Sequence, residues 1–108
     1  MRILFDQGTP VPLREFLVGH TVRTAAEQQW ATLENGRLLD AAEAAGFELL
    51  VTTDKNMRYQ QSLVGRRIAV IILGQARWPL VRLHVQRVLS AVDSSSAGTY
   101  TEIDMRDA

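Results

Sequence analysis

The sequence predicts a single α/β domain in which helices cover both faces of a mostly parallel sheet of about five strands. Two segments, Glu48–Thr53 and Arg67–Leu73, are near-continuous apolar runs, which is the pattern of strands buried on both faces. Helical segments alternate with strand segments, and this alternation implies parallel pairing through right-handed crossovers. A chain of 108 residues can bury one core but not two. We therefore expect a three-layer α/β/α sandwich formed by residues 1–108 as one domain.

Five segments have the residue pattern of strands. The first is short and apolar, the second has a weaker signal, the third and fourth are the buried runs, and the last alternates as an edge strand would. In chain order they are Arg2–Phe5, His20–Thr24, Glu48–Thr53, Arg67–Leu73 and Tyr100–Ile103.

Four segments between these strands predict helices, namely Pro12–Leu17, Gly36–Ala45, Met57–Leu63 and Pro79–Val92. Proline suits the first turn of a helix, and Gly46 would end the second helix. In the last segment a stripe of valines at helical spacing indicates one buried face. Residues 94–98 then read as a flexible connector inside the domain.

The composition excludes several classes of site and partner. Twelve basic and twelve acidic residues give a formal net charge of zero, so the chain lacks the strongly basic balance of many nucleic-acid binders, although a local basic patch remains open. The absence of cysteine excludes disulfides and thiolate metal sites. The opening residues MRILFDQ reach an acid at the sixth position, unlike a signal peptide, and no segment is apolar enough to cross a membrane. We expect a cytoplasmic protein with no membrane contact.

Two aspartates stand where predicted strands end. Asp6 follows the first strand and Asp54 follows the third. Ligands of open α/β sheets bind at the carboxyl ends of the strands, so neighbouring first and third strands would bring these two carboxylates together. A divalent cation such as Mg²⁺ or Mn²⁺ would relieve their repulsion and could activate water for phosphodiester hydrolysis. The alternative interpretation is that each aspartate only caps a turn or a helix.

Polar residues near Asp54 extend this candidate site. Asn56 is a helix cap or a further metal ligand. Asn35 is the expected N-cap of the second helix, and either it or Glu34 could approach the metal from the start of that helix. Lys55 and Arg58 are solvated charges or contacts to a nucleic-acid backbone.

The four residues Trp30, Trp78, Tyr59 and Tyr100 read as packing or partner contacts rather than platforms for stacked bases. No phosphate-binding glycine loop, nucleophile elbow or serine–histidine pair is present.

Three segments together resemble a known family. They are MRILFDQ, NGRLLDAAEAAGFELLVTTDKNMRYQQ and RRIAVIIL, and over residues 1–75 they look like a compact PIN-like domain, related to PIN nucleases and VapC-type toxins. The matching elements are the early Asp6 and the apolar strand that ends in Thr52-Thr53-Asp54. The resemblance implies an α/β/α sandwich and RNA cleavage that depends on Mg²⁺ or Mn²⁺. It also implies a toxin role beside a small antitoxin protein, often as a homodimer.

Carried over by position, the resemblance makes Asp6 and Asp54 catalytic and metal-binding residues. It places Asn56 where many relatives have a further acid, and the acid at the helix start falls on or beside Asn35, with Glu34 as the alternative. Three hypotheses follow: a ribonuclease with a reduced acidic site, a non-catalytic PIN-like module that binds RNA or protein, and a receiver-like signalling domain. The last needs a paired acid after the first strand and a later lysine, yet Gln7 follows Asp6 and Lys55 is the chain's one lysine.

Overall fold

The computed structural model describes residues 1–106, and its sheet consists of five parallel strands in the order β2-β1-β3-β4-β5. Each strand lies within a segment that the sequence predicts, so the predicted α/β class and strand count are confirmed. The strands are β1 Arg2–Phe5, β2 Thr21–Thr24, β3 Leu49–Thr52, β4 Ala69–Leu73 and β5 Tyr100–Ile103.

The four predicted helical segments are all present, but they are less regular than the sequence predicts. The first is a 3₁₀ helix, and the last is interrupted by a 3₁₀ turn at Arg82–His84, where His84 leaves the α region with φ −118° and ψ 20°. The third ends at Gln60 rather than Leu63 because Gln61 is extended. The elements are the 3₁₀ helix Val11–Phe16 and the helices α1 Asn35–Ala44, α2 Met57–Gln60, α3 Trp78–Val81 and α4 Val85–Ser94.

Two apolar clusters cover the two faces of the sheet, because alternate residues of each strand point to opposite sides. One cluster joins Ile3, Phe5 and Val51 to the 3₁₀ helix and to α4. The other joins Leu4 and Leu50 to α1 and α2. The sheet is therefore packed between helical segments on both faces, which is compatible with the expected three-layer sandwich.

The connection from β4 to β5 departs from the expected uniform right-handed crossovers. The β3–β4 and β4–β5 connections each move one strand in the same direction along the sheet. The first passes over the face of α2, whereas the second passes over the opposite face through α3 and α4. The two crossovers consequently have opposite hands. The buried stripe of α4 accounts for this path, because it covers a face that otherwise carries only the 3₁₀ helix.

The direction of the chain along the sheet reverses between β1 and β3. The chain moves from β1 to β2 on one side and then returns past β1 to β3 on the other. In open α/β sheets the crevice beside such a reversal, at the carboxyl ends of the strands, is the usual ligand site. The same strand order occurs in flavodoxin-like folds, which include receiver domains, but the opposite hand of the last crossover separates this chain from a uniformly right-handed arrangement. Within residues 1–106, no helix combines the length and apolarity needed to cross a membrane.

Candidate functional site

Asp6 and Asp54 follow β1 and β3, two neighbouring interior strands, at the carboxyl edge of the sheet. Strands β1 and β3 are hydrogen-bonded neighbours, as expected, with Phe5 beside Val51. The backbone N–H of Asp6 extends this pairing by donating to the carbonyl of Val51 at 2.9 Å. Both aspartate side chains are half-buried. The fold thus places the two acids next to the reversal in strand order.

Thr52 links the two acids through its hydroxyl group. Its side chain is fully buried, at 0% exposure. The hydroxyl donates to Oδ2 of Asp6 at 2.7 Å and accepts a hydrogen bond from the backbone N–H of Asp54 at 3.1 Å. The sequence motif Thr52-Thr53-Asp54 contains this residue, but its connecting role depends on the register between β1 and β3. Thr52 is therefore the site residue that sequence reasoning did not assign.

The second aspartate is held by two asparagines. Oδ1 of Asp54 accepts a hydrogen bond from the backbone N–H of Asn56 at 2.9 Å, which forms a local turn before α2. Oδ2 of Asp54 accepts one from the side-chain amide of Asn35, also at 2.9 Å. Asp54 therefore stabilises a turn and also faces the site, so the two interpretations of this residue are compatible.

The start of α1 differs from its predicted arrangement. Asn35 is the first helical residue rather than the N-cap, because Glu34 holds the extended cap conformation with φ −72° and ψ 161°. Neither the Glu34 cap of α1 nor the Asn56 cap of α2 makes a side-chain capping hydrogen bond. Freed from capping, the amide of Asn35 reaches Asp54.

The pKa of Asp6 is raised above its ordinary value of 3.8. Burial is the main cause, and the negative charge of Asp54 adds to it. Hydrogen bonds from the Thr52 hydroxyl and the Gln7 backbone N–H, the latter at 2.8 Å, oppose the rise. Asp6 is thus a carboxyl group for which a nearby cation would favour the ionised form.

The two predicted substrate-binding cations lie toward the other end of the sheet edge. Lys55 lines a cleft of about 320 Å³ at the ends of β4 and β5. Arg58 forms an ion pair with Glu102 of β5, with Nη1 and Oε2 3.2 Å apart. Arg58 is therefore already paired with an acid. The side chains of Lys55 and Arg58 both remain exposed and accessible to a ligand.

A larger cleft of about 620 Å³ opens between the start of α1 and the end of α2. Its walls include Asn35 on one side and Gln60 and Gln61 on the other, and Glu34 also lines it. Gly36 allows the side chain of Gln61 to approach α1 closely, because a Cβ atom at position 36 would lie 3.2 Å from Oε1 of Gln61. Through Asn35 this cleft is continuous with the hydrogen-bond network of Asp54.

Across residues 1–106, no cluster of three or more histidine, cysteine, aspartate or glutamate side chains is arranged to hold a metal ion. The charged ligands at the β1–β3 edge are the pair Asp6 and Asp54. No protein-family model, no curated protein and no solved structure matches this chain. Its function is therefore argued from the site itself.

Proposed function

We propose that this chain is a PIN-like, divalent-metal-dependent ribonuclease with a reduced acidic site. The observation that carries the proposal is the hydrogen-bonded unit in which Thr52 joins Asp6 to the backbone of Asp54 at the reversal in strand order. Sites at this edge are where open α/β sheets bind ligands, and paired carboxylates there suit a hard cation. The sequence resemblance to PIN-like domains supports the same assignment.

The two carboxylates are oxygen donors of the kind that one Mg²⁺ or Mn²⁺ ion takes, and they are two acids rather than a cluster of three or more. Asp6 and Asp54 would hold it through carboxylate oxygens, and their hydrogen bonds leave lone pairs available on each group. A cation would also lower the pKa of Asp6, against the raising effects of burial and of the Asp54 charge. When bound, such an ion polarises a phosphoryl oxygen and lowers the pKa of a coordinated water molecule.

The surrounding residues have positioning roles in this proposal. Thr52 orients the Asp6 carboxylate through a buried hydroxyl, and Asn35 orients Asp54 through its amide N–H. For Asn35 to act as a metal ligand, as the sequence predicts, its amide would have to present oxygen rather than nitrogen to the site. Asn56 supports Asp54 through its backbone N–H, and its side-chain oxygen remains a predicted ligand.

Metal binding and RNA cleavage test the proposal in sequence. Calorimetry with Mn²⁺ should give binding to the wild type, weaker binding to Asp54→Asn and unchanged binding to Asp93→Asn, an exposed acid on α4 that serves as the control. Cleavage of a single-stranded RNA should depend on Mn²⁺ or Mg²⁺ and be lost in Asp6→Asn and Asp54→Asn. Cleavage that survives both changes would rule out this site.

The second candidate function is a non-catalytic PIN-like module that binds RNA or a protein such as a small antitoxin. It is favoured by the asparagines beside Asp54, because Asn35 and Asn56 provide amides where a stronger metal site would have acids. The variant Asn35→Asp separates the two candidates. If the chain is a nuclease with a reduced acidic site, Asn35→Asp should bind Mn²⁺ more tightly than the wild type, because it supplies a third carboxylate. A wild type that binds no metal and cleaves no RNA would instead favour the non-catalytic module.

A further inference from the structure

Tyr59 is the most exposed of the aromatic side chains that the structure describes. The chain has seven aromatic residues, all of them among the described residues. Phe16 contacts Trp78 with 5.7 Å between ring centroids, and Trp30 contacts Phe47 with 6.0 Å between ring centroids. Of the remaining aromatic side chains, Phe5 is buried and Tyr100 is half-buried. Tyr59 is 80% exposed. An aromatic ring of this exposure is available to a ligand.

The backbone that carries Tyr59 is firmly held. Met57, at the start of α2, is fully buried in the core. At the other end of the helix, the hydroxyl of Tyr100 donates to the carbonyl of Gln61 at 2.7 Å. Because both ends of α2 are fixed in this way, the exposure of Tyr59 is a property of the fold rather than of a loose segment.

The position of Tyr59 connects it to the candidate site. The segment starts from Asp54, whose carboxylate accepts the backbone N–H of Asn56, and α2 follows immediately. The residues after Tyr59, Gln60 and Gln61, form one wall of the 620 Å³ cleft whose other wall contains Asn35. A polymer bound at the acids and laid along this cleft would therefore reach the helix that presents Tyr59.

The neighbours of Tyr59 favour a nucleobase over a protein surface. The guanidinium of Arg58 lies 5.7 Å from the centroid of the ring, an arrangement that adds a cation to the stacking platform. The residues Lys55, Arg58 and Gln60 beside Tyr59 in the chain are exposed and polar, which suits a nucleic acid better than the apolar centre of a stable protein interface. Unpaired bases stack on exposed aromatic side chains and on arginine planes.

We propose that Tyr59 is a base-stacking platform for single-stranded RNA beside the acidic site. This inference rests on the proposed function for the choice of RNA, and it adds a residue that selects unpaired over paired substrate. Arg58 is already paired with Glu102, so we assign the contact at this position to stacking on Tyr59 rather than to an ion pair between Arg58 and phosphate. Binding should therefore depend on the bases.

The test is fluorescence anisotropy of a labelled eight-nucleotide RNA in EDTA, which prevents cleavage. The wild type, Tyr59→Ala, Tyr59→Trp and Leu83→Ala are compared, since Leu83 is a similarly exposed large side chain (66%) in the segment that covers the opposite face. We expect Tyr59→Ala to weaken binding about tenfold, Tyr59→Trp to restore it and Leu83→Ala to match the wild type.

Two substrate controls complete the design. A strand of the same length without bases, and an RNA duplex, should both bind much more weakly than the single strand.

Equal RNA affinity of Tyr59→Ala and the wild type would overturn the proposal and point to a protein contact at Tyr59 instead. The proposal would also fail if the strand without bases bound as tightly as the RNA, or if the wild type did not bind the single-stranded RNA. The cleavage assay with Asp6→Asn decides the proposed function separately.

Discussion

Replacing Thr52 with valine tests the hydroxyl link between the two acids with almost no change in shape. Valine has nearly the same volume and fits a fully buried position, so the packing of β3 should persist. The change removes the donor to Oδ2 of Asp6 and the acceptor for the N–H of Asp54. Its energetic effect should therefore come from hydrogen bonding rather than from a cavity.

The size of the effect should depend on the ionisation of Asp6. A hydrogen bond to a charged group is worth about 1.5–3 kcal/mol, and one between neutral groups about 0.5–1.5 kcal/mol. Because Asp6 is half-buried, we take the lower part of the first range and expect a loss of about 2 kcal/mol at pH 7. Where Asp6 is protonated the loss should be about 1 kcal/mol.

The sign of the pH dependence follows from the pKa of Asp6. That pKa is already raised above 3.8, so folding loses stability as the pH rises and the carboxyl ionises. The hydrogen bond from Thr52 partly offsets the rise in pKa. Without it the pKa of Asp6 should rise further, and the difference in stability between variant and wild type should widen with pH.

Urea unfolding in metal-free buffer between about pH 3 and pH 7 measures this difference. The matched control is Thr9→Val, since the Thr9 hydroxyl is also buried but donates to a neutral acceptor, the carbonyl of Val51, at 2.9 Å. Thr9→Val should cost about 1 kcal/mol at every pH. Equal pH profiles for the two variants would refute the reasoning.

Three further changes have defined outcomes. Asp6→Asn removes a carboxyl whose pKa burial raises, so its free energy of unfolding should fall less than that of the wild type as the pH rises from about 3 to about 7 in urea titrations. Burial by itself would raise the pKa of Glu43, but hydrogen bonds from Arg66 and from the backbone N–H of Arg67 lower it below its ordinary value of 4.5. Glu43→Gln should therefore lower the free energy of unfolding by about 1 kcal/mol at pH 7 in urea unfolding, and by progressively less as the pH falls. Gly74→Ala should destabilise the fold by about 1–3 kcal/mol in urea unfolding, because its Cβ would lie 2.6 Å from the carbonyl oxygen of Ile103; an unchanged midpoint would contradict that contact.

The strands could be predicted from the sequence because the residues of each strand mark it without reference to the rest of the chain. Leu49–Thr52 and Ala69–Leu73 are buried on both faces, so their apolar runs mark them without knowledge of their neighbours. Asp6 and Asp54 could be found for the same reason, since each follows the end of a strand. Their proximity required the additional assumption that β1 and β3 are neighbours, which the strand order confirms.

The features that the sequence did not predict depend on contacts between distant segments. The role of Thr52 requires the register of β1 against β3, and the pairing of Arg58 with Glu102 requires the position of β5. Asn35 has the residue type of a cap, but its amide bonds to Asp54, 19 residues away in sequence. Likewise, Tyr59 has the pattern of a packing residue, and its exposure follows from the orientation of α2.

The path of the last crossover has a consequence for folding during synthesis. Once residues up to Leu73 have been made, four strands exist, but one face of their sheet has only the 3₁₀ helix to cover it. The apolar residues of that face, Ile3, Phe5 and Val51 among them, find their remaining cover when α4 is added. We therefore expect folding to wait for the last quarter of the chain, with a nascent chain stalled before α4 prone to aggregation. A fragment of residues 1–74 should accordingly lack the cooperative unfolding transition of the full chain.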